Sequence, residues 1–313
     1  MITKPGVKAL TDNIGRAMKG KPDAVRLAVV ALLGRGHLLI EDVPGIGKTT
    51  LAYSLARSIN CTFHRVQFTS DLMPSDILGV TIFNQTRQEF EFKQGPIFAN
   101  IVLADEINRT TPKTQSALLE AMNEGQVTVE KTTLPLPRPF MVIATQNPLE
   151  YHGTFPLPES QMDRFMMRIK LGYPDIADEK EILRAAVTDY VKDGLEPVLT
   201  ADDVLGLQAE AAKVRVDDSL LDYILAIVEA TRSSEKLALG VSPRGALFLQ
   251  KAARAMALVD GRDYCIPDDI KGLAVSVLSH RVLVNTRGVG YGKRGEDSED
   301  IIRDIVDTVE VPV

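Results

Sequence analysis

Cysteine is nearly absent: Cys61 and Cys265 are the only two in 313 residues, far apart and without C-x-x-C spacing. That excludes a disulfide framework and a cysteine-rich zinc site, and it fits a reducing compartment. No apolar run approaches the roughly 18 residues of a membrane span, so membrane insertion is not expected. The opening Met1-Ile2-Thr3-Lys4-Pro5-Gly6 lacks the apolar stretch of a secretion signal, and the expected location is cytoplasmic. Long blocks of one charge are missing too. Lys and Arg number 36 against 42 Asp and Glu, a net charge of −6. An acidic chain without a basic stripe is not expected to grip nucleic acid. Internal repeats and low-complexity tracts are likewise absent.

What the chain does contain is a strand, a glycine loop and a helix in succession. Asp42-Val43-Pro44-Gly45-Ile46-Gly47-Lys48-Thr49 follows the apolar run His37 to Ile40 and precedes the helix-like stretch Thr50 to Arg57. Gly45 and Gly47 let backbone N–H groups approach an anion, Lys48 can reach the outer phosphates of a nucleoside triphosphate, and Thr49 offers a hydroxyl to Mg²⁺. The candidate nucleotide-binding residues are therefore 42–50 together with Asp105. Asp42 departs from the G-x-x-x-x-G-K-[ST] pattern, which has glycine there.

Strands are predicted at 37–41, 62–68, 101–105, 139–145 and 166–171, with helical segments between them, starting from a helix at Pro22 to Leu33. Short buried apolar runs alternating with helices give an α/β fold with a parallel sheet covered on both faces. After Tyr173-Pro174-Asp175 amphipathic helices take over, which sets the expected boundary between an α/β unit, 1–173, and a helical unit, 174–313. Helix starts are expected at Thr200, Pro243 and Pro267, and a loop at 288–300 before a last helix. Two insertions interrupt the first unit. Residues 71–95 carry Phe83, Phe90 and Phe92 among polar neighbours, and 125–138 alternate like a hairpin, with Val127 and Val129 facing Leu134 and Leu136.

The apolar run Ile101 to Ala104 ends in Asp105 and Glu106. Ligands in open α/β sheets collect at the carboxyl ends of strands, so Asp105 can hold Mg²⁺ while Glu106, pointing the other way round the turn, polarises an attacking water. Asn147, after the strand ending in Thr145, can touch the γ-phosphate or that water; Asn-Pro pairs also begin turns, and spacing does not separate the two roles. Arg164, just before the last predicted strand, can present a positive charge to the next subunit. Arg244, at a helix start in the second unit, can reach the phosphates of its own chain.

These pieces in this order resemble the AAA+ ATPases: Walker A at 42–49, Walker B at 101–106, sensor 1 at Asn147, arginine finger at Arg164 and sensor 2 at Arg244. The phrases Gly95-Pro96-Ile97-Phe98-Ala99-Asn100 and Ala104-Asp105-Glu106-Ile107-Asn108-Arg109, with the stretches 112–122, 144–148 and 153–165, are similar to the MoxR family. The resemblance implies a P-loop core with sheet order 5-1-4-3-2 and an all-helical C-terminal lid. It implies ATP and Mg²⁺ as ligands, a ring that is usually a hexamer, and chaperone-like assembly, activation or metal or cofactor insertion of client protein complexes alongside a partner with a von Willebrand factor A domain. In that family 71–95 resembles the helix-2 insert and 125–138 the pre-sensor hairpin, both expected to contact substrate. Two other readings stay open on sequence: a nucleic-acid or transcriptional motor, and a nucleotide-gated scaffold with negligible hydrolysis.

Overall fold

In the computed structural model, residues 3–129, 132–148, 153–186, 194–285 and 297–312 are described. Helices α1 (Thr3–Ala17) and α2 (Pro22–Leu33) lead into strand β1 (Leu38–Glu41), helix α3 (Lys48–Ser58) and strand β2 (Phe63–Gln67). A short helix α4 (Pro74–Leu78) and a hairpin of β3 (Gly79–Asn84) and β4 (Glu89–Gln94) precede β5 (Ile101–Asp105) and α5 (Pro112–Glu124). A second hairpin, β6 (Gln126–Val129) with β7 (Thr132–Pro135), is followed by β8 (Met141–Gln146), α6 (Glu159–Met162) and β9 (Met167–Ile169). The rest holds α7 (Ile176–Ala186), α8 (Ala201–Lys213), α9 (Asp218–Ser233), strand β10 (Leu237–Leu239), α10 (Pro243–Val259), α11 (Pro267–Leu278), strand β11 (Leu283–Val284) and α12 (Ser298–Thr308).

Five strands form one sheet in the order β2-β5-β8-β1-β9, every pairing parallel. Numbered among themselves, this is the expected order 5-1-4-3-2. Alternation along each strand then supplies two cores. Leu38, Ile40, Ile101, Leu103, Met141 and Ile143 join α1, α2 and α3 on one face. Leu39, Val102, Ala104, Val142 and Ala144 meet α5 residues Leu118, Leu119 and Met122, and Phe165, on the other.

Of the five expected strands only β5 keeps its bounds; β1 starts one residue late, β2 loses one residue at each end, and two others differ more. The 139–145 run pairs only from Met141, because Pro139 has no N–H to give a ladder. The 166–171 run stops pairing at Ile169, and the N–H of Leu171 goes instead to the Asp42 carboxylate at 2.8 Å. Val127 lies opposite Leu134 as expected, whereas Val129 faces Thr132; Leu136 lies beyond the ladder, its N–H on the Gly125 carbonyl.

Capping chemistry sets the later helices. Thr200 accepts from the Asp203 N–H and Asp203 bonds back to Thr200, a reciprocal cap that starts α8. Ser242 caps α10 ahead of Pro243, and Pro267 opens α11. Among the described residues of this unit the only strands are the antiparallel ribbon of β10 and β11. Its interior is continuous with one face of the sheet: Leu207, Ala211, Leu249 and Ala252 share a core with α2, and Gln208 donates to the Leu32 carbonyl at 2.7 Å. Most of the loop expected at 288–300 lies outside the described residues. No helix among the described residues is long and apolar enough to cross a membrane.

His37, just before β1, bridges two elements: its Nδ1 accepts from the Val142 N–H and its Nε2 bonds the Met122 carbonyl, both at 3.0 Å. Burial pulls its pKa from 6.5 to about 4. The native state therefore resists a proton that the unfolded chain takes up at 6.5. Stability is full above that pH and falls as pH drops from 6.5 towards 4, by about 1.4 kcal/mol per pH unit for this group. In His37→Gln the acid limb of a urea-denaturation pH series should flatten by about that slope; an unchanged limb would show that His37 does not contribute.

Candidate functional site

The parallel sheet brings β1, β2, β5 and β8 to one edge by their carboxyl ends. A cleft of about 330 Å³ lies there, lined by Pro44, Gly45, Gly47, Lys48, Thr49, Thr50, Arg65, Gln67, Asp105, Glu106 and Asn147. Gly45 (φ 86°) and Gly47 (φ 99°) occupy the left-handed region, where a side chain would strain the backbone. Gly47 is also the residue from which α3 starts, so first-turn N–H groups face the cleft. Lys48 opens that helix, and its Nζ donates to the Asp42 carbonyl.

Across the cleft, Asp105 and Glu106 both line the wall and have different partners. Glu106 takes φ 58°, ψ 50°, a left-handed conformation that is uncommon for a residue with a Cβ and is found preferentially at functional turns. Asp105 receives the Thr145 hydroxyl at 2.6 Å and the Arg65 guanidinium at 2.7 Å. Glu106 receives the Gln67 amide at 2.8 Å and the Arg109 guanidinium at 3.2 Å. The Thr145 hydroxyl also accepts the Glu106 N–H at 2.8 Å, so one buried side chain holds the Asp105 carboxylate and the Glu106 backbone. Asn147 is buried at the end of β8.

Several expected site residues lie elsewhere. Asp42, Val43 and Ile46 are not among the lining residues. The Asp42 carboxylate accepts the N–H groups of Val43, Leu171 and Gly172, and Ile46 packs against the core. Arg164 points away from the cleft of its own chain; its Nη1 donates to the Leu119 carbonyl on α5 at 2.8 Å. Arg244 sits 3.9 Å from the Asp163 carboxylate, again outside the cleft.

Asp163 is itself a junction. Arg281, 1% exposed, reaches its carboxylate at 2.5 Å, and the Ser242 hydroxyl binds both of its oxygens at 3.1 Å. Burial pulls the Arg281 pKa down to about 10 against the opposing pull of Asp163. Sequence reasoning missed Arg65, Gln67, Thr145 and Asp163. For Arg65 and Gln67 the available signal was two polar residues at i and i+2 on a strand, one face of a pleat.

Residues 37–167 match the ATPase family associated with various cellular activities (AAA), and 229–305 match the AAA lid domain. Chaperone MoxR1 of Mycobacterium tuberculosis is 42% identical, the match covering 96% of this chain and 81% of the relative. The chain belongs to the MoxR family of AAA+ ATPases. Another relative, the uncharacterized protein YeaC of Bacillus subtilis, is 51% identical over 96% of this chain and 93% of its own. A crystal structure of an ATPase candidate from Cytophaga hutchinsonii superposes with a TM-score of 0.90 at 39% identity, over 99% and 96% of the two chains.

For this MoxR-family site the sharpest structural dependence is on Thr145. Thr145→Val keeps the shape but strands the Glu106 N–H and removes a donor from Asp105. Urea unfolding should show a loss of about 1–3 kcal/mol, with Thr145→Ser close to the parent; a Val variant as stable as the parent would contradict this account.

Proposed function

We propose that this protein hydrolyses ATP as one subunit of a ring, commonly a hexamer, and uses that cycle to assemble or activate client protein complexes. The observation that carries the reading is the cleft itself: a glycine loop at a helix start, Lys48, Thr49, two adjacent carboxylates and Asn147 meet at one sheet edge. Lys48 and the first-turn N–H groups of α3 hold the β- and γ-phosphates. Glu106 orients and deprotonates the attacking water, and Asn147 positions it against the γ-phosphate.

Mg²⁺ fits this donor set. No cluster of three His, Cys, Asp or Glu exists among the described residues, but an Mg²⁺ held between phosphates needs only one or two protein oxygens, here Thr49 and Asp105. When bound, the ion neutralises charge on the phosphate oxygens.

Arg164 supports the ring. Held on the Leu119 carbonyl outside its own cleft, it is read as the finger for a neighbouring subunit's site, while Arg244 reaches its own phosphates only if it leaves Asp163. Exposed apolar side chains at the start of the lid, Ile176 at 87% and Tyr173 at 77%, support burial between subunits. Client contact is assigned to the two hairpins; on the first, Phe90 is 75% exposed and stacks edge-on with Phe83 at 5.3 Å. The family resemblance supports a partner bearing a von Willebrand factor A domain and a cytoplasmic setting without nucleic acid, and a relative named as a chaperone supports the client reading.

Glu106→Gln should still bind ATP while turnover falls about 10²–10⁴-fold; turnover at the parent rate would remove Glu106 from the water-activating role. Hydrolysis per subunit, followed against protein concentration with light-scattering mass, should rise with assembly. Arg164→Ala should lose about 10³-fold while nucleotide stays bound. A concentration-independent rate that ignores Arg164 would rule out shared sites.

A further inference from the structure

Asp42 is where this chain departs from the phosphate-loop pattern, and every polar group of that residue is engaged. Its N–H donates to the Gln146 carbonyl at 3.1 Å, beside Asn147. Its carbonyl accepts from Lys48 Nζ. One carboxylate oxygen accepts the Val43 N–H at 2.9 Å, and the other accepts the N–H groups of Leu171 and Gly172 at 2.8 and 2.7 Å. These last two are short, charge-assisted bonds to the connection between β9 and α7, the stretch that joins sheet to lid. Gly172 turns there with φ 63°. A glycine at position 42, as the pattern has it, would leave both N–H groups without this acceptor.

We propose that Asp42 is a positioning residue that transmits occupancy of the phosphate loop to the lid connection. The inference rests on the ATP reading above. An arriving phosphate competes for the Lys48 ammonium with the Asp42 carbonyl, because a multiply charged anion outbids a neutral carbonyl oxygen. Releasing or sharing Lys48 shifts the Asp42 peptide, and the same residue's carboxylate carries that shift to Leu171 and Gly172. The carboxylate therefore acts on the lid side of the loop rather than on the phosphates.

Hydrogen exchange of a peptide spanning 168–176 in the full-length chain reads this link directly. Each variant is first titrated with a fluorescent ATP analogue, and exchange is then compared without nucleotide and with a saturating non-hydrolysable ATP analogue and Mg²⁺. In the parent, the Leu171 and Gly172 amides should be protected and should change their exchange rate on loading. Asp42→Gly should exchange at least about tenfold faster when empty and show no change at saturation. Asp42→Ala is run beside it, so that misfolding of one variant does not close the test. Asp42→Asn, whose amide oxygen still accepts, should recover most of the response.

An acceptor-less variant that binds the analogue and responds at 171–172 like the parent would overturn the inference. So would loss of analogue binding in Asp42→Asn, which would show that the carboxylate charge is needed for nucleotide binding itself. A parent that binds no analogue would instead defeat the ATP reading on which the inference stands.

Discussion

Parallel pairing is the constraint on which the site depends. Because β1, β2, β5 and β8 run the same way, their carboxyl ends share one edge, and residues distant in sequence become neighbours. Register does the rest. Gln67 pairs with Asp105 and Glu41 with Gln146, so Arg65 and Gln67 lie alongside the two carboxylates and the glycine loop leaves the sheet beside Asn147. A slip of one residue in β5 would exchange its two faces, turning Leu103 out of one core and Asp105 away from Thr145. The full burial of Ile101 to Ala104 on both faces makes such a slip expensive.

A second property follows from placing adjacent carboxylates at a strand end. Their charge is balanced by the protein: Arg65 and Thr145 on Asp105, Gln67 and Arg109 on Glu106. Lys48 in turn rests on a backbone carbonyl. The cleft is thus held by polar partners, and on the ATP reading proposed above a ligand would enter it by exchange, phosphates competing for Lys48 and a cation competing with Arg65 for Asp105. Such exchange costs less reorganisation than creating charges in an apolar pocket, and it links ligand binding to the elements that carried the former partners.

Much of this was legible in the chain itself, for physical reasons. Fully buried strands read as continuous aliphatic runs, which is why β1, β5 and β8 stood out, and the glycine, lysine and threonine spacing of the loop is demanded by phosphate geometry. Helix starts at Thr200, Pro243 and Pro267 carry local capping chemistry that needs no tertiary context. The ribbon of β10 and β11 was invisible because segments of three and two residues have no period to detect. Side-chain destinations were the larger gap. That Arg65 would choose Asp105, or that Asp42 would reach Leu171 and Gly172, depends on strand neighbours and on a connection 129 residues away in sequence. Arg164 and Arg244 could be assigned a charge role from their positions, but neither the α5 carbonyl nor Asp163 is implied by local sequence.

The joint between lid and sheet limits what any nucleotide-driven motion can be. The apolar core passes without a break from α2 and β1 into α8, α10 and α11, so swinging the lid as a separate body would expose Leu207, Ala211, Leu249 and Ala252 to water. Polar ties sit around that core: Asp42 to Leu171 and Gly172, Arg168 to Glu41 and Glu299, and Arg281 to Asp163. The first joins the glycine loop to the connection after β9, the second joins β9 to β1 and to α12, and the third joins the turn before β9 to the residues after α11. A motion that preserves the core must therefore be a small rotation taken up at these ties. The last of them adjoins Arg164, whose Nη1 rests on the Leu119 carbonyl of α5 in the same chain.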